Sequence, residues 1–507
     1  MVSVPASSPA RGPRNPVARG WERLERRLDP VFGPASNPLR HLGALGYTLF
    51  WVVAATGAYL YAVFDTSVSG AYQSTVALSS ELLGVGAFLR ALHRYASDAL
   101  LVIMGLHMLR ELAFGRVGGF RRFTWLTGIP LLWLLPAAGI VGFWLVWDQT
   151  AAVSAIATME WVDTLGQFGD PLARNFQTAS QINDRLFSLF VFLHIGLPLL
   201  VLAVMWIHVQ RLARPETRTS RPLTIGVLGA LCLLSLAQPA PIADAADVSR
   251  LPATLAIDWF YLAPNALSDQ GHATVLWSVA GGGTLALVAL PWILRSRRAP
   301  VAVVDPVHCN GCSRCFEDCP YGAISMIPQP GGSLAVVNAA ACASCGICAG
   351  SCPSATPFRS VDVLVSGIDL PQDPVDRIRR DVNASLVAQP GATVVLACAH
   401  AVDTRRLAAA GFAVAPLECA GQVPPSFVEF ALRHGARGVA VVACAQGGCE
   451  FRLGDRWTVE RLTAEREPHL RASVPRDRIT VVRAIPGEEK RVADDIRKAL
   501  PEETLHV

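Results

Sequence analysis

The sequence lacks the signatures of most soluble enzymes. It contains no glycine-rich fingerprint for flavin or nicotinamide binding, no hydrolase motif and no C-x-x-C-H motif for covalent haem attachment. Charged residues are only 17% of the 507 residues, and the net charge of +4 is too small to indicate nucleic-acid binding. We therefore expect neither a flavin or nicotinamide enzyme nor a nucleic-acid partner.

Residues 1–20 also lack the apolar core of a secretory signal peptide and are rich in Pro, Ser and Arg. We expect them to form a disordered tail. The next stretch, "WERLERRLDPVF", has the pattern of an amphipathic helix that lies on a membrane surface. The tail and the helix together account for residues 1–40.

Apolar sequence is abundant, because 52% of the residues are hydrophobic. Six apolar spans, most of them long enough to cross a bilayer, occupy residues 41–64, 90–114, 124–147, 186–210, 222–239 and 272–295. Arginines cluster in the N-terminal stretch, in the second and fourth loops and after the last span, whereas the other loops are mostly acidic. The positive-inside rule then predicts six transmembrane helices in the inner (cytoplasmic) membrane. Both termini and every residue after 300 are expected in the cytoplasm.

The second and fourth spans each carry two histidines fourteen residues apart, His93 with His107 and His194 with His208. Fourteen residues are close to four helical turns, so each pair lies on one helix face with its rings roughly 21 Å apart. Both spans run inward, which places His93 beside His194 near the outer face and His107 beside His208 near the cytoplasmic face. Because histidine in a membrane span is costly without a partner, we predict that each facing pair binds one haem iron. Hydrogen bonding between helices is the alternative.

The first and third spans carry glycines with the same spacing, Gly43 with Gly57 and Gly128 with Gly142. A flat macrocycle between helices requires helix faces without side chains, and small residues permit a close approach. The four spans therefore offer two haem levels, each with two histidines and two glycines.

With these residues in view, spans one to four resemble the haem-bearing half of cytochrome b from bc-type quinol oxidoreductases. The motifs "GGFRRFTWLTG" after span two and "GFWLVWDQ" at the end of span three carry the resemblance, although the family usually has Pro where Val146 stands. The resemblance implies two b haems on the four histidines, quinone or quinol as substrate, membrane lipid around the bundle, and a homodimer.

The resemblance continues more weakly into the loop between spans five and six. Cytochrome b has Pro-Glu-Trp-Tyr at its outer quinol site, where this chain has Ile257, Asp258, Trp259 and Phe260. The carboxylate of Asp258 is able to accept a quinol proton and is the one catalytic residue that we predict. An interfacial aromatic belt is the alternative explanation of this loop.

Twelve of the 13 cysteines follow residue 300, and a cytoplasmic location favours metal or redox chemistry over disulfides. The exception, Cys232, is interpreted as a small buried apolar residue. The segments "CNGCSRCFEDCP" and "CASCGICAGSCP" both read C-x2-C-x2-C-x3-C-P, the ferredoxin signature, in which the fourth cysteine binds the other cluster. We predict one [4Fe–4S] cluster on Cys309, Cys312, Cys315 and Cys352, and a second on Cys342, Cys345, Cys348 and Cys319. Zinc sites use two C-x2-C pairs instead.

From about residue 390, the apolar runs "TVVLAC", "AVAPLEC", "GVAVVAC" and "ITVVRAIP" alternate with helical stretches, which predicts a parallel sheet covered by helices. Cys398, Cys419 and Cys444 stand at the C-terminal ends of strands, and Cys449 follows closely. Ligands of open α/β sheets bind beyond those ends, so four thiols are expected to converge there. Chance burial of small cysteines is the alternative.

This domain resembles the delta subunit of methyl-viologen-reducing hydrogenases through "ECAGQVPPSFVEFALRHGARGVAVVACAQGGCEFRLGD" and the cysteine after the first strand. The family passes electrons from hydrogenase to heterodisulfide reductase through a [2Fe–2S] cluster. It typically has C-x-x-C where this chain reads "CAHA". The resemblance implies a [2Fe–2S] cluster on Cys398, Cys419, Cys444 and Cys449, with His400 as an alternative ligand.

The predicted fold is therefore multidomain. Residues 41–298 form an all-α, six-helix cytochrome b-like transmembrane bundle, residues 299–360 a small α+β ferredoxin-like module, residues 361–389 a linker, and residues 390–507 an α/β parallel-sheet domain. Only about ten residues separate the last span from Cys309, so the module should lie close to the cytoplasmic face.

These parts predict a quinone-linked oxidoreductase subunit. A soluble dehydrogenase or a heterodisulfide-reductase-like flavoprotein would dock on the C-terminal domain. Electrons would pass from the [2Fe–2S] site to the two [4Fe–4S] clusters, then to the two haems, and from the haems to quinone. The alternative runs in reverse, with quinol oxidised near Asp258 and a cytoplasmic reductase as the acceptor. A redox sensor or scaffold is a third hypothesis.

Overall fold

The structure is a computed structural model that describes residues 16–80, 84–167, 169–176, 181–250, 258, 260–294 and 299–501. Most of the predicted disordered tail, Ile257 and Trp259 of the outer loop, and the arginines after the last span lie outside the described residues.

The N-terminal half is helical. A first helix spans Pro16–Phe32 and contains the predicted amphipathic stretch. The longer helices that follow are Leu42–Val63, Val85–Ala113, Arg122–Leu145, Asp184–Val209, Arg221–Ala237 and Ala273–Ile293, and each coincides with one predicted span. Shorter helices in the connections are Gly70–Ser79, Gln149–Asp163 and Ala263–Leu267.

Four helical segments of the described chain are long and apolar enough to cross a membrane: Leu42–Val63, Gly119–Leu145, Asp184–Val209 and Ala263–Ile293. Val85–Ala113 is long enough but carries charged residues such as Arg94 and Asp98 among its apolar ones. Arg221–Ala237 is apolar but has only 17 residues. A membrane bundle is therefore confirmed, whereas the number of six crossings stays a prediction.

The bundle is assembled from two helix pairs. Leu42–Val63 packs along Val85–Ala113, and Arg122–Leu145 packs along Asp184–Val209. Each pair thus joins one helix that carries two glycines to one that carries two histidines.

The region after residue 300 begins with a strand, Val303–Val304, that pairs in antiparallel fashion with Ile368–Asp369. Between them lie two short helices, Arg314–Asp318 and Ile347–Ser351, and an antiparallel hairpin of Ile324–Gln329 with Gly332–Val337. The tight turn of the hairpin places two glycines at its tip, Gly331 with φ of 87° among them.

The C-terminal domain contains the predicted parallel sheet. Its strands, in spatial order, are Ala413–Leu417, Thr393–Cys398, Gly438–Cys444 and Ile479–Ala484, and all neighbours are parallel. The two central strands are completely buried, as uninterrupted apolar runs predict. The helices are Val375–Ala388, Thr404–Ala409, Ser426–Arg433, Gly454–Leu462 and Glu489–Ala499. The first of them lies in the segment expected to be a linker.

Residues 299–501, which we call the iron–sulfur half, lie against one end of the bundle. Ala213 in the fourth loop donates its N–H to the carbonyl of Pro320 at 3.0 Å, and the rings of Phe120 and Tyr321 are 4.7 Å apart. The short connection after the last span predicted this placement.

A buried ion pair joins the ferredoxin region to the C-terminal domain. Asp318 accepts from Arg461 at 2.5 Å and from Arg466 at 2.6 Å, and the side chain of Arg461 is only 1% exposed. Arg461 lies on the same helix as the fully buried Trp457, whose indole N–H donates to the carbonyl of Asp318.

We predict that Asp318→Ala loosens the helix Gly454–Leu462 by about 3–5 kcal/mol, because Arg461 is left buried without its carboxylate. Hydrogen exchange of the amides of this helix, followed by mass spectrometry, measures the change. Asp170→Ala is the control, since its pair with Arg174 is exposed and contributes at most about 1 kcal/mol. Equal protection of the helix in both variants would contradict the prediction.

Candidate cofactor sites

Each predicted glycine faces one predicted histidine across a helix pair. A Cβ placed on Gly43 would lie 3.5 Å from the His107 ring, and one placed on Gly128 would lie 3.2 Å from the His208 ring. We call these four residues the inner level.

The same relation holds nearer the opposite end of the bundle. A Cβ on Gly57 would lie 3.0 Å from the His93 ring, and one on Gly142 would lie 2.7 Å from the His194 ring. We call these four residues the outer level. A side chain at any of these glycines would push against the facing imidazole, so each glycine makes room for a ring.

Hydrogen bonds orient three of the rings. Nδ1 of His93 lies 3.1 Å from the carbonyl of Val53, and Nδ1 of His194 lies 2.9 Å from the carbonyl of Ala138. A carbonyl only accepts, so Nδ1 carries the proton in both rings and Nε2 of the neutral imidazole keeps a free lone pair. Nδ1 of His208 lies 3.2 Å from the hydroxyl of Thr127. This is the arrangement of metal-binding histidines, whose second nitrogen is held by a neighbouring group.

The outer-level rings also stand at a suitable separation. The ring centroids of His93 and His194 are 6.2 Å apart. This distance leaves room for one metal ion between the two rings, because a bond from metal to imidazole is about 2 Å long. The outer level therefore fits an iron bound from both sides.

A cavity of about 360 Å³ opens at the inner level, and all four inner-level residues line it. The wall is apolar along the helices and mainly cationic at the end next to residues 299–501, where six arginines and two glutamates line it: Arg40, Arg110, Arg116, Arg121, Arg211, Arg452, Glu111 and Glu216. An apolar cleft with a cationic mouth fits a flat apolar macrocycle that bears carboxylate groups.

The ferredoxin cysteines fall into the two predicted groups. Burial, together with the neighbouring thiols of Cys352, Cys312 and Cys309, raises the pKa of Cys315 to about 12. This thiol thus lies among the three partners that the motif assigns to it. Thiolate ligands need a compensating cation in such a place, and a cluster of iron supplies it.

The second group is equally clear. Burial and the neighbouring thiols of Cys345, Cys319 and Cys342 raise the pKa of Cys348 well above its ordinary value. Cys315 of the first group adds to the same effect, so the two groups lie next to each other.

The four cysteines of the last domain converge at the C-terminal edge of the sheet. The Sγ atoms of Cys398 and Cys444 are 3.8 Å apart. The neighbouring thiols of Cys419 and Cys444 lower the pKa of Cys449, so Cys449 lies close to both of them. We call Cys398, Cys419, Cys444 and Cys449 the thiol site. Within the described residues, no group of three or more His, Cys, Asp or Glu side chains has the geometry to hold a single metal ion.

His400, the alternative ligand, is buried beside the thiol site. Its Nε2 lies 3.2 Å from the carboxylate of Glu418, and its ring packs against Phe451. Nδ1 has no hydrogen-bond partner among the described residues. The contact with Glu418 accounts for one nitrogen of the ring, and a ligand role for the other stays a hypothesis.

Three segments of the chain match sequence profiles of known families. Residues 34–215 match "Cytochrome b/b6/petB", residues 308–356 match "4Fe-4S dicluster domain", and residues 394–502 match "Methyl-viologen-reducing hydrogenase, delta subunit". The three resemblances are confirmed. Among solved structures, a chain described as "Hyperthermophilic respiratory Complex III" is similar at 18% identity and a TM-score of 0.40, over 50% of this chain and 74% of that chain.

The cytochrome b domain implies haem, and the dicluster domain implies an iron–sulfur cluster, so the chain is a membrane electron-transfer protein. The residues described above fit these groups. His93, His194, His107 and His208 would hold haem iron, which exchanges single electrons, and the twelve cysteines after residue 300 would hold iron–sulfur clusters.

Asp258, the predicted proton acceptor, is closely engaged in the connection before the helix Ala263–Leu267, beyond the residues that match cytochrome b. One carboxylate oxygen accepts from the backbone N–H groups of Phe260 and Tyr261 at 2.9 and 2.8 Å. The other forms an ion pair with Arg94. These contacts support a role in holding the loop, and quinol chemistry at Asp258 stays a prediction.

Glu450, which is not among the predicted site residues, lies between two arginines of the second loop. Its carboxylate is 3.0 Å from Arg116 and 3.1 Å from Arg121. An acidic residue directly after the last cysteine of the thiol site, together with arginine-rich loops, was the available signal.

We predict that Gly142→Ala displaces the ring of His194, because its Cβ would lie 2.7 Å from that ring. The EPR g values of the outer low-spin haem should shift, or the haem should be lost. Gly105→Ala on the helix Val85–Ala113 is the matched control, since nothing lies within 4 Å of its Cβ position. An unchanged outer haem spectrum in Gly142→Ala would refute the predicted contact.

Proposed function

We propose that this protein links a cytoplasmic redox partner to the membrane quinone pool, using iron–sulfur clusters in its cytoplasmic half and two b haems in its bundle. The observation that carries the proposal is the pair of glycine–histidine levels. Two levels along the same helices would hold two haems one above the other, so an electron could cross much of the bundle in short steps. A single haem site would not allow this.

The arrangement of charge supports a cytoplasmic position of the iron–sulfur half. The loops that contact this half are the arginine-rich ones, with Arg116 and Arg121 in the second loop and Arg214 in the fourth. The positive-inside rule assigns such loops to the cytoplasm. The N-terminal stretch contacts the iron–sulfur half as well, because Arg40 and His41 lie against Gly447.

We infer that electrons run from the soluble partner to quinone. The outer loop favours this direction over quinol oxidation, because both carboxylate oxygens of Asp258 already have partners. A quinol proton would have to displace Arg94 or two backbone N–H groups. The partner is a soluble dehydrogenase or a heterodisulfide-reductase-like flavoprotein, since the delta-subunit family connects such proteins.

We predict two bis-histidine b haems in the purified protein, with a low-spin spectrum. His93→Ala or His194→Ala should remove the outer haem, and His107→Ala or His208→Ala the inner one. A haem that keeps only one imidazole ligand either becomes high-spin or is lost from the protein. Haem extraction and the visible spectrum of each variant measure this. His272→Ala, outside both levels, is the control. A ligand variant that keeps both haems with unchanged spectra would show that the assignment is wrong.

A further inference from the structure

The cavity at the inner level reaches the C-terminal domain. Gly447 and Cys449 line the same cavity as the four inner-level residues, and the ferredoxin region contributes the ring of Tyr321 to it. All thirteen cysteines lie in described segments, and Cys449 is the one among them that lines this cavity. The thiol site and the inner level therefore border the same cavity.

Close backbone contact holds the loop of residues 445–452 against the bundle. A Cβ on Gly447 would lie 2.9 Å from the His41 ring and 3.2 Å from the Cβ of Arg40. Gly447 has φ of 72°, a conformation that side chains disfavour, so glycine is needed here for two reasons. His41 is two residues before Gly43 of the inner level.

Ion pairs fasten the same loop from a second side. Glu450, adjacent to Cys449, lies between Arg116 and Arg121, both of which line the cavity. Arg452 donates to the carbonyl of Arg214 at 2.8 Å. The loop is thus tied to the N-terminal stretch and to the second and fourth loops.

The opposite side of the thiol site faces the second ferredoxin group. Cys345 and Cys419 belong to one buried cluster with Ile347 and Trp457. A Cβ on Gly421 would lie 3.0 Å from the side chain of Ile347, so this side chain packs directly against Gly421. Cys345 also contributes to the raised pKa of Cys419.

We propose that the thiol site lies between the ferredoxin cysteines and the inner level, and that it exchanges electrons directly with the iron held by His107 and His208. This order differs from the order along the chain, in which the ferredoxin module would contact the haem. The inference rests on the proposed function and specifies its path.

Each step moves one electron. A [4Fe–4S] cluster held by the ferredoxin cysteines would pass one electron to a cluster held by the thiol site, and that cluster would pass it to ferric iron held by His107 and His208, so that each donor is oxidised and each acceptor reduced by one electron. No bond forms or breaks and no proton moves. In the test below, a reduced soluble ferredoxin, which is a low-potential one-electron donor, takes the place of the soluble partner.

The test mixes the full-length protein with a reduced soluble [4Fe–4S] ferredoxin and follows the haem bands by stopped flow. Samples frozen during the reaction are examined by EPR for reduced [4Fe–4S] clusters and ferric low-spin haem. In Cys449→Ser, we expect reduced ferredoxin clusters together with a haem that stays ferric. Haem reduction at the wild-type rate in this variant would overturn the proposed order. A variant in which neither the ferredoxin clusters nor the haem are reduced would overturn it too. If the wild-type haem accepts no electrons from reduced clusters, the proposed function itself fails.

A second variant avoids damage to the thiol site. Glu450→Gln keeps every cysteine but weakens the ion pairs to Arg116 and Arg121, so the iron content should be unchanged while the fast phase of haem reduction is lost. Glu467→Gln, whose pair with Arg314 does not line the cavity, is the matched control. Equal haem reduction in the two variants, at equal iron content, would contradict the role of Glu450 in positioning the loop.

Discussion

The contact between a glycine and a facing histidine ring is the constraint on which the rest of the protein depends. It occurs four times, and its fourteen-residue spacing on all four helices divides the bundle into two levels. A side chain on the glycine would displace the ring, and an imidazole in a membrane span without a partner would be costly. Each of the four helices therefore pairs glycine with histidine, and this pairing determines where iron would be held and how far apart the two levels lie.

The arginines of the second loop have two physical roles. They provide the charge bias that orients a membrane protein, and they hold the iron–sulfur half in place through Glu450. Ion pairs of this kind position the groups that they join more than they add to the free energy of unfolding, because desolvation offsets much of their attraction. Their value here is in fixing one loop, and with it Cys449, against the inner level. The buried pair of Asp318 with Arg461 does the same between the two iron–sulfur domains.

Much of the fold was readable from the sequence, because periodicity and motif spacing are local. The helices around His93 and His194, the parallel sheet and both ferredoxin groups were predicted from such patterns. The contact of Gly447 with His41 was not, since it joins residues about four hundred positions apart and depends on how two domains dock. The helix Val375–Ala388 lies in the segment expected to be a linker. Charged residues stand between its apolar ones, and Ile378 and Val382 are nevertheless fully buried.

Anomalous X-ray scattering at the iron edge, on crystals of the purified protein, tests the central claim most directly. The account predicts iron between His93 and His194 and between His107 and His208, and a cluster at Cys449 that is nearer to the inner-level iron than either ferredoxin cluster. Absence of iron between either histidine pair, or a ferredoxin cluster as the nearest neighbour of the inner-level iron, would contradict it.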